Sequence, residues 1–174
     1  LSRALITRIS GADDLGVPEI SHRLDLTIVE RATARHPWLG AAEGWHLTFG
    51  RELNATDDRQ RFRAWRRGDD ERAVLEGKQI DAFRVSLDRC RFALKHGEVL
   101  PSSARRARLV YRDVASAGNR MTLIAAIAPA GVVTTHTLFC LRTALAEDRQ
   151  HFLCGLFNSY VLNAVVRMLM GGHV

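Results

Sequence analysis

The clearest hydrophobic pattern lies between Arg108 and Arg142, in RLVYRDVASAGNRMTLIAAIAPAGVVTTHTLFCLR. Three runs inside it, Arg108–Val114, Met121–Ala128 and Val132–Leu141, are rich in Val, Ile, Leu, Thr and aromatic residues. Such residues fit a pleated, half-buried surface, so each run predicts a strand. Ala115–Arg120 separates the first two as a small polar loop, and Pro129-Ala130-Gly131 separates the second and third as a turn. The polar residues Arg112, Asp113, Ser116, Asn119, Arg120 and Thr122 gather near one end of this unit, a rim suited to a polar partner.

Before this unit, apolar spacing predicts two helical pieces in residues 1–35, one around Leu5, Ile6 and Ile9 and one around Leu24, Leu26, Ile28 and Val29. Gly16-Val17-Pro18 and then His36-Pro37 break them. Trp45–Phe49 alternates as a short strand, and Glu52–Asp58 reads as a loop with capping residues. In Arg59–Arg72, Phe62 and Trp65 stand three apart among arginines, the spacing of a shared helix face. Val74–Ile80 contains Glu76-Gly77-Lys78, a tight turn that holds Lys78 in a defined place. Ala82–Ala93 is strand-like, and 97–106 is a loop. Glu147–Met170 carries the most regular helical spacing, from Leu153 and Leu156 through Tyr160 to Met168. Leu156 and Tyr160 are expected on its buried face, Gly155 allows close approach, and Asn158 and Asn163 need hydrogen-bond partners if buried. The expected fold is α+β, a mixed β-sheet with flanking helices. It divides into a connecting segment at 1–72, mostly helical, and a second domain at 73–174.

Charge sharpens this picture. The net charge is +6, and residues 59–112 concentrate it, with 15 Lys or Arg against 7 Asp or Glu. A basic middle beside the central strands points to an anionic partner. Of the 25 cationic residues only Lys78 and Lys95 are lysines. Arginine suits bidentate phosphate and guanine contacts, although a genome rich in G and C gives the same bias. Cys90, Cys140 and Cys154 are far apart and form no CxxC pair, which gives neither a zinc site nor a disulfide framework and fits a reducing, cytoplasmic setting. No run reaches membrane-spanning length, no signal-peptide pattern opens the chain, and Leu1 makes it read as a piece of a longer protein.

Catalytic patterns are missing: there is no G-x-G-x-x-G, P-loop or G-x-S-x-G, and no histidine pair at metal spacing. His136, within a strand, reads as a structural histidine, and Asp113 beside Arg112 as a hydrogen-bonding partner. The residues alone therefore describe a binding module.

Several short stretches, taken in order, resemble a known family. They are Leu75-Glu76-Gly77-Lys78-Gln79-Ile80, Leu109-Val110-Tyr111-Arg112-Asp113-Val114-Ala115, Leu123–Ile127 before Pro129, Phe152–Ser159, and Arg167 to Gly171-Gly172-His173. With Glu52–Asp57 upstream, this order is similar to the TaqI-like C-terminal target-recognition (specificity) domain of type IIG restriction–modification N6-adenine DNA methyltransferases, over about residues 36–174. The resemblance implies a target-recognition-domain-like fold, a role in reading double-stranded DNA, and S-adenosylmethionine as cofactor of the parent enzyme. The family's Pro-Pro catalytic motif is missing, so methyl transfer is expected of an upstream methyltransferase domain of the same chain, with or without a fused nuclease. Where the family tends to read Asn-acidic-Arg-Thr, this chain reads Asn119-Arg120-Met121-Thr122, a shift that in a strand turns Arg120 to the other face. The expected DNA contacts are Lys78, Arg112, Ser116, Asn119 and Arg120, each of which can also serve as a loop-closing hydrogen bond. A protein–protein interaction module built on the Glu147–Met170 helix is the alternative, and a small enzyme using His136 and Asp113 is a weaker one.

Overall fold

The computed structural model describes residues 1–10, 17–68, 72–113 and 120–170. The fold is α+β, as the sequence predicts. Two four-stranded sheets stack on each other, and helices cover the outer face of the first.

The first sheet has the order β1 (Phe49–Gly50), β10 (Leu138–Leu141), β7 (Arg108–Arg112), β8 (Ala125–Ala128), all antiparallel. It is buried on both faces, which is why its strands read as continuous apolar runs. Val110, Ala126, Leu138 and Cys140 point toward the second sheet. Leu109, Ala125 and Leu141 point the other way, onto Leu153, Cys154 and Phe157 of α3 (Glu147–Phe157). Full burial of a side chain such as Leu153 contributes about 1.5–3 kcal/mol.

The second sheet has the order β2 (Phe62–Ala64), β6 (Phe92–Leu94), β3 (Ala73–Leu75), β9 (Val133–Thr134). Only its β3–β9 pair is parallel. The run Val132–Leu141, expected as one strand, serves both sheets. Val133–Thr134 pairs with β3, a turn closes with Leu138 N–H donating to Thr135 C=O, and Leu138–Leu141 joins the first sheet. A short hairpin, β4 (Ile80–Asp81) and β5 (Arg84–Val85), packs against β8.

The helix expected over Arg59–Arg72 does not form; a 3-10 turn at Arg59–Arg61 leads into β2 instead. Phe62 and Trp65 then serve different cores, Phe62 with Leu53 and Val74, and Trp65 with Ala73 and Cys90. Because β1 and β2 belong to sheets whose other strands follow residue 72, the division expected at 72 cuts through both sheets.

The segment Glu147–Met170 is two helices, α3 and α4 (Tyr160–Met170), bent by 61°. Asn158 makes the break. Its side-chain Oδ1 accepts from the Ala125 N–H (3.0 Å), and Nδ2 donates to the carbonyls of Ala125 (2.8 Å) and Cys154 (2.9 Å). The amide thus caps the edge of β8 and stops the helix in one step. The bend leaves Leu156 partly exposed and Tyr160 65% exposed, against expectation. Gly155 also departs from expectation, since a Cβ there meets open space. Asn163 bridges likewise, from the Leu123 N–H to the Phe157 and Ser159 carbonyls. α4 packs with α1 (Arg3–Ser10) and α2 (Arg23–Thr33) through Leu5, Ile9, Val29 and Val165. Among the described residues no single helix is long and apolar enough to cross a membrane.

Candidate nucleic-acid interface

The turn after β3 is built by its own side chains. Leu75 is fully buried, and the chain then leaves the sheet through a 3-10 turn at Gly77–Gln79. Gln79 is buried and locks the turn: Oε1 accepts from the Glu76 N–H (2.8 Å), and Nε2 donates to the Arg89 carbonyl (3.1 Å). The Gly77 N–H donates to Thr137 Oγ1 at 2.9 Å. A Cβ on Gly77 would lie 3.4 Å from the Thr137 carbonyl oxygen and 3.7 Å from Arg112 Cγ, ordinary contact distances, so the turn packs against Thr137 and Arg112 without needing glycine. Lys78 is held at the outer point of this turn with its side chain 53% exposed.

Arg112 reaches the same place from the end of β7. Its Nη2 donates to the Ile80 carbonyl and lies 3.4 Å from Asp81 Oδ1. Its Nε is buried without a hydrogen-bond partner. Glu76, Gly77, Lys78, Arg112 and Thr137 together line an open cleft of ≈ 280 Å³.

Two carboxylates organise the cations around this cleft. Glu76 receives Arg91 in a fork (Nη2 to Oε1 at 2.8 Å, Nε to Oε2 at 3.1 Å) and Lys78 Nζ at 3.6 Å. Burial pushes the Glu76 carboxyl up, but the Arg91 hydrogen bonds and the charges of Lys78 and Arg91 outweigh it and hold it below its ordinary value. Asp81 takes Arg112 and, at 4.0 Å, Arg89, and pairs across the hairpin with Arg84. Four cations thus contact two carboxylates. Lys78, Arg89 and Arg91 each have more than half of the side chain exposed. The Arg89–Asp81 pair is exposed on both sides and is worth only about 0–1 kcal/mol, whereas Glu76 is 13% exposed and holds Arg91 and Lys78 more firmly.

Of the five expected contact residues, the structure brings Lys78 and Arg112 together. Arg120 lies elsewhere: its Nη2 donates to the Tyr160 hydroxyl (2.6 Å), and it lines a second cleft of ≈ 470 Å³ with Glu19, Asp25 and Arg167. Residues 121–124 precede β8, so strand alternation does not set its direction. Ser116 and Asn119 lie outside the described residues. Asp113 pairs with Arg51 (2.5 Å) and not with Arg112. His136 Nδ1 accepts from the Ala55 N–H (3.2 Å), a structural role as expected.

Much of the basic middle is internal scaffolding. Arg61 bridges Asp58 and Glu98, Arg72 donates to three carbonyls, Arg106 donates to the Arg142 carbonyl, and Arg108 is fully buried against Glu52. Glu76, Asp81, Arg89 and Arg91, which shape the cleft, were not singled out from the sequence. Only the Glu-Gly-Lys turn marked the place, because the partners meet through tertiary structure. No protein-family model matches the sequence, and a comparison with curated proteins finds no match.

Proposed function

We propose that this chain is the DNA-binding target-recognition region of an N6-adenine DNA methyltransferase of the type IIG restriction–modification kind, itself without the methyl-transferring machinery. One observation carries the reading: Glu76-Gly77-Lys78 from one resemblance stretch and Arg112 from another line the same cleft. Phosphate contacts fix a protein's register on a duplex, and base contacts then specify the site. Lys78, with Arg89 and Arg91 beside it, supplies the first kind of contact. Ser116 and Asn119 are assigned the second on the sequence alone, asparagine being suited to adenine.

The parent enzyme flips its adenine and uses S-adenosylmethionine in an upstream domain of the same chain, in the cytoplasm. The methyl donor is assigned to that upstream domain, and Lys78 and Arg112 at the cleft are assigned to DNA alone. A second reading, a protein-interaction module, draws on the exposed side chains Phe152, Leu156, Tyr160 and Val161 along α3 and α4.

Fluorescence anisotropy of the chain with labelled duplex at several salt concentrations tests the proposal. Binding should weaken linearly in log–log form with salt, and Lys78→Ala should lower the slope by about one unit. Failure of the wild-type chain to bind duplex at low salt would refute the reading and favour the interaction module.

A further inference from the structure

The β4–β5 hairpin carries a residue that neither packing nor the cationic cleft explains. Register pairs Ile80 with Val85 and Asp81 with Arg84, leaving Ala82 and Phe83 as a two-residue tip. Phe83 has φ 66, the left-handed region that a bulky side chain rarely adopts. Its ring is nonetheless 64% exposed. Six of the seven phenylalanines pack against another ring, and Phe83 is the one without such a contact among the described residues.

The tip is firmly placed. The Phe83 N–H donates to the Ala125 carbonyl (2.9 Å), Ile80 below it is fully buried, and Arg112 grips the Ile80 carbonyl. The positive φ is what a two-residue hairpin tip requires at its second position; what the turn does not require is a bulky, exposed aromatic there in place of glycine or asparagine. Observed strain of this kind marks candidate functional positions. The mount also belongs to the cationic surface, because Asp81 at its base takes Arg112 and Arg89, and Arg84 follows Phe83 directly.

We propose that Phe83 is a base-contacting wedge that enters the base stack of bound duplex DNA, while the exposed Lys78 and Arg89 hold phosphates on the same surface. The inference rests on the DNA-binding reading above. An exposed apolar ring on a hairpin whose Asp81 holds Arg89 and Arg112 matches the two parts of a nucleic acid, aromatic base and anionic backbone. Apolar side chains that insert between base steps unstack them and kink the duplex.

The test uses the full chain, a labelled duplex carrying 2-aminopurine, and three variants. Wild type should bind at low salt and raise 2-aminopurine fluorescence by unstacking it. Phe83→Ala should weaken binding by about one to two orders of magnitude, as loss of base stacking does, and abolish the fluorescence rise. Its salt slope should stay unchanged, in contrast to Lys78→Ala. Phe83→Trp should retain both signals. Phe83→Gly should bind as poorly as Phe83→Ala yet melt at a higher temperature, because glycine relieves the left-handed backbone. A residue that mattered only for folding would not move stability and binding in opposite directions. If wild type binds and Phe83→Ala binds equally well, the wedge is wrong and DNA binding stands. If wild type does not bind, both readings fall. Phe83-dependent binding to phosphatidylserine vesicles in place of duplex would overturn the wedge in favour of a lipid surface.

Discussion

Glu52 and Arg108 form an ion pair at 2.7 Å with both side chains 0% exposed, and its removal should reveal what ties the two sheets together. The two partners are unequally satisfied. Glu52 accepts from Arg108, from the Thr134 N–H (2.8 Å) and hydroxyl (3.0 Å), and from Ser103 Oγ (2.5 Å). Arg108 donates through Nη2 alone, to Glu52 and to the Val132 carbonyl, and its Nε and Nη1 are buried without partners. Glu52→Gln strands a buried guanidinium and should cost about 3–5 kcal/mol. Arg108→Met strands the carboxylate, at a similar cost offset in part by removing two orphaned donors. The double variant leaves neither charge and should lose far less than the sum, a coupling of a few kcal/mol where independent sites would add to within about 0.5 kcal/mol. Urea unfolding of the four proteins at neutral pH, followed by circular dichroism, gives the cycle provided the slopes agree. Additive losses, or a Glu52→Gln cost under about 1 kcal/mol, would refute the reasoning. The pair matters for the surface too. Thr134 adjoins Leu75, where the Lys78 turn begins, and Arg108 opens the strand that ends in Arg112.

Asn158→Ala removes three main-chain hydrogen bonds and leaves the buried Ala125 N–H unpaired, so it should cost about 2–4 kcal/mol in the same urea assay, and an unchanged midpoint would refute the capping role. Glu76 has its carboxyl held below its ordinary 4.5, so its contribution to stability is complete above that value and is lost as pH falls through the lowered one. Glu76→Gln should therefore flatten part of the acid limb of a melting-temperature profile; an identical profile would count against the Arg91–Glu76–Lys78 cluster. Asn119→Ala in the parent enzyme should lose about 1–3 kcal/mol on its selected site and much less on scrambled duplex, and equal loss on both would end its base-reading assignment.

What the sequence disclosed follows from what decides each feature. The break at His36-Pro37 and the Gly77 turn rest on local chemistry and appear, while of the strands expected at 108–114, 121–128 and 132–141 the structure has Arg108–Arg112, Ala125–Ala128, and the last split into Val133–Thr134 and Leu138–Leu141. Phe62 and Trp65 misled because a spacing of three also fits a strand whose two faces are both buried. Only the presence of the β8 edge turns Asn158 from a tolerated helix residue into a helix stop. The run 132–141 reads as one strand because both sheets want the same apolar composition; its bend is set by Leu75 taking the Thr135 N–H.

Charge counting had the opposite weakness, since it treats every cation as a surface cation. Arg72 shows the error: one guanidinium donates to the carbonyls of Leu94 (3.4 Å), Lys95 (2.9 Å) and Glu98 (2.8 Å), closing the loop after β6. Arg142 likewise reaches Ser103 Oγ (2.8 Å) and the Arg51 carbonyl. A planar fork with five donors can staple several carbonyls at once, while an ammonium acts as a compact, strongly hydrated point charge. The excess of arginine over lysine is thus partly a folding device for short strands and long connections. Lys78, one of only two lysines, makes no such staple: its ammonium reaches Glu76 alone among the described residues (3.6 Å) with the side chain 53% exposed.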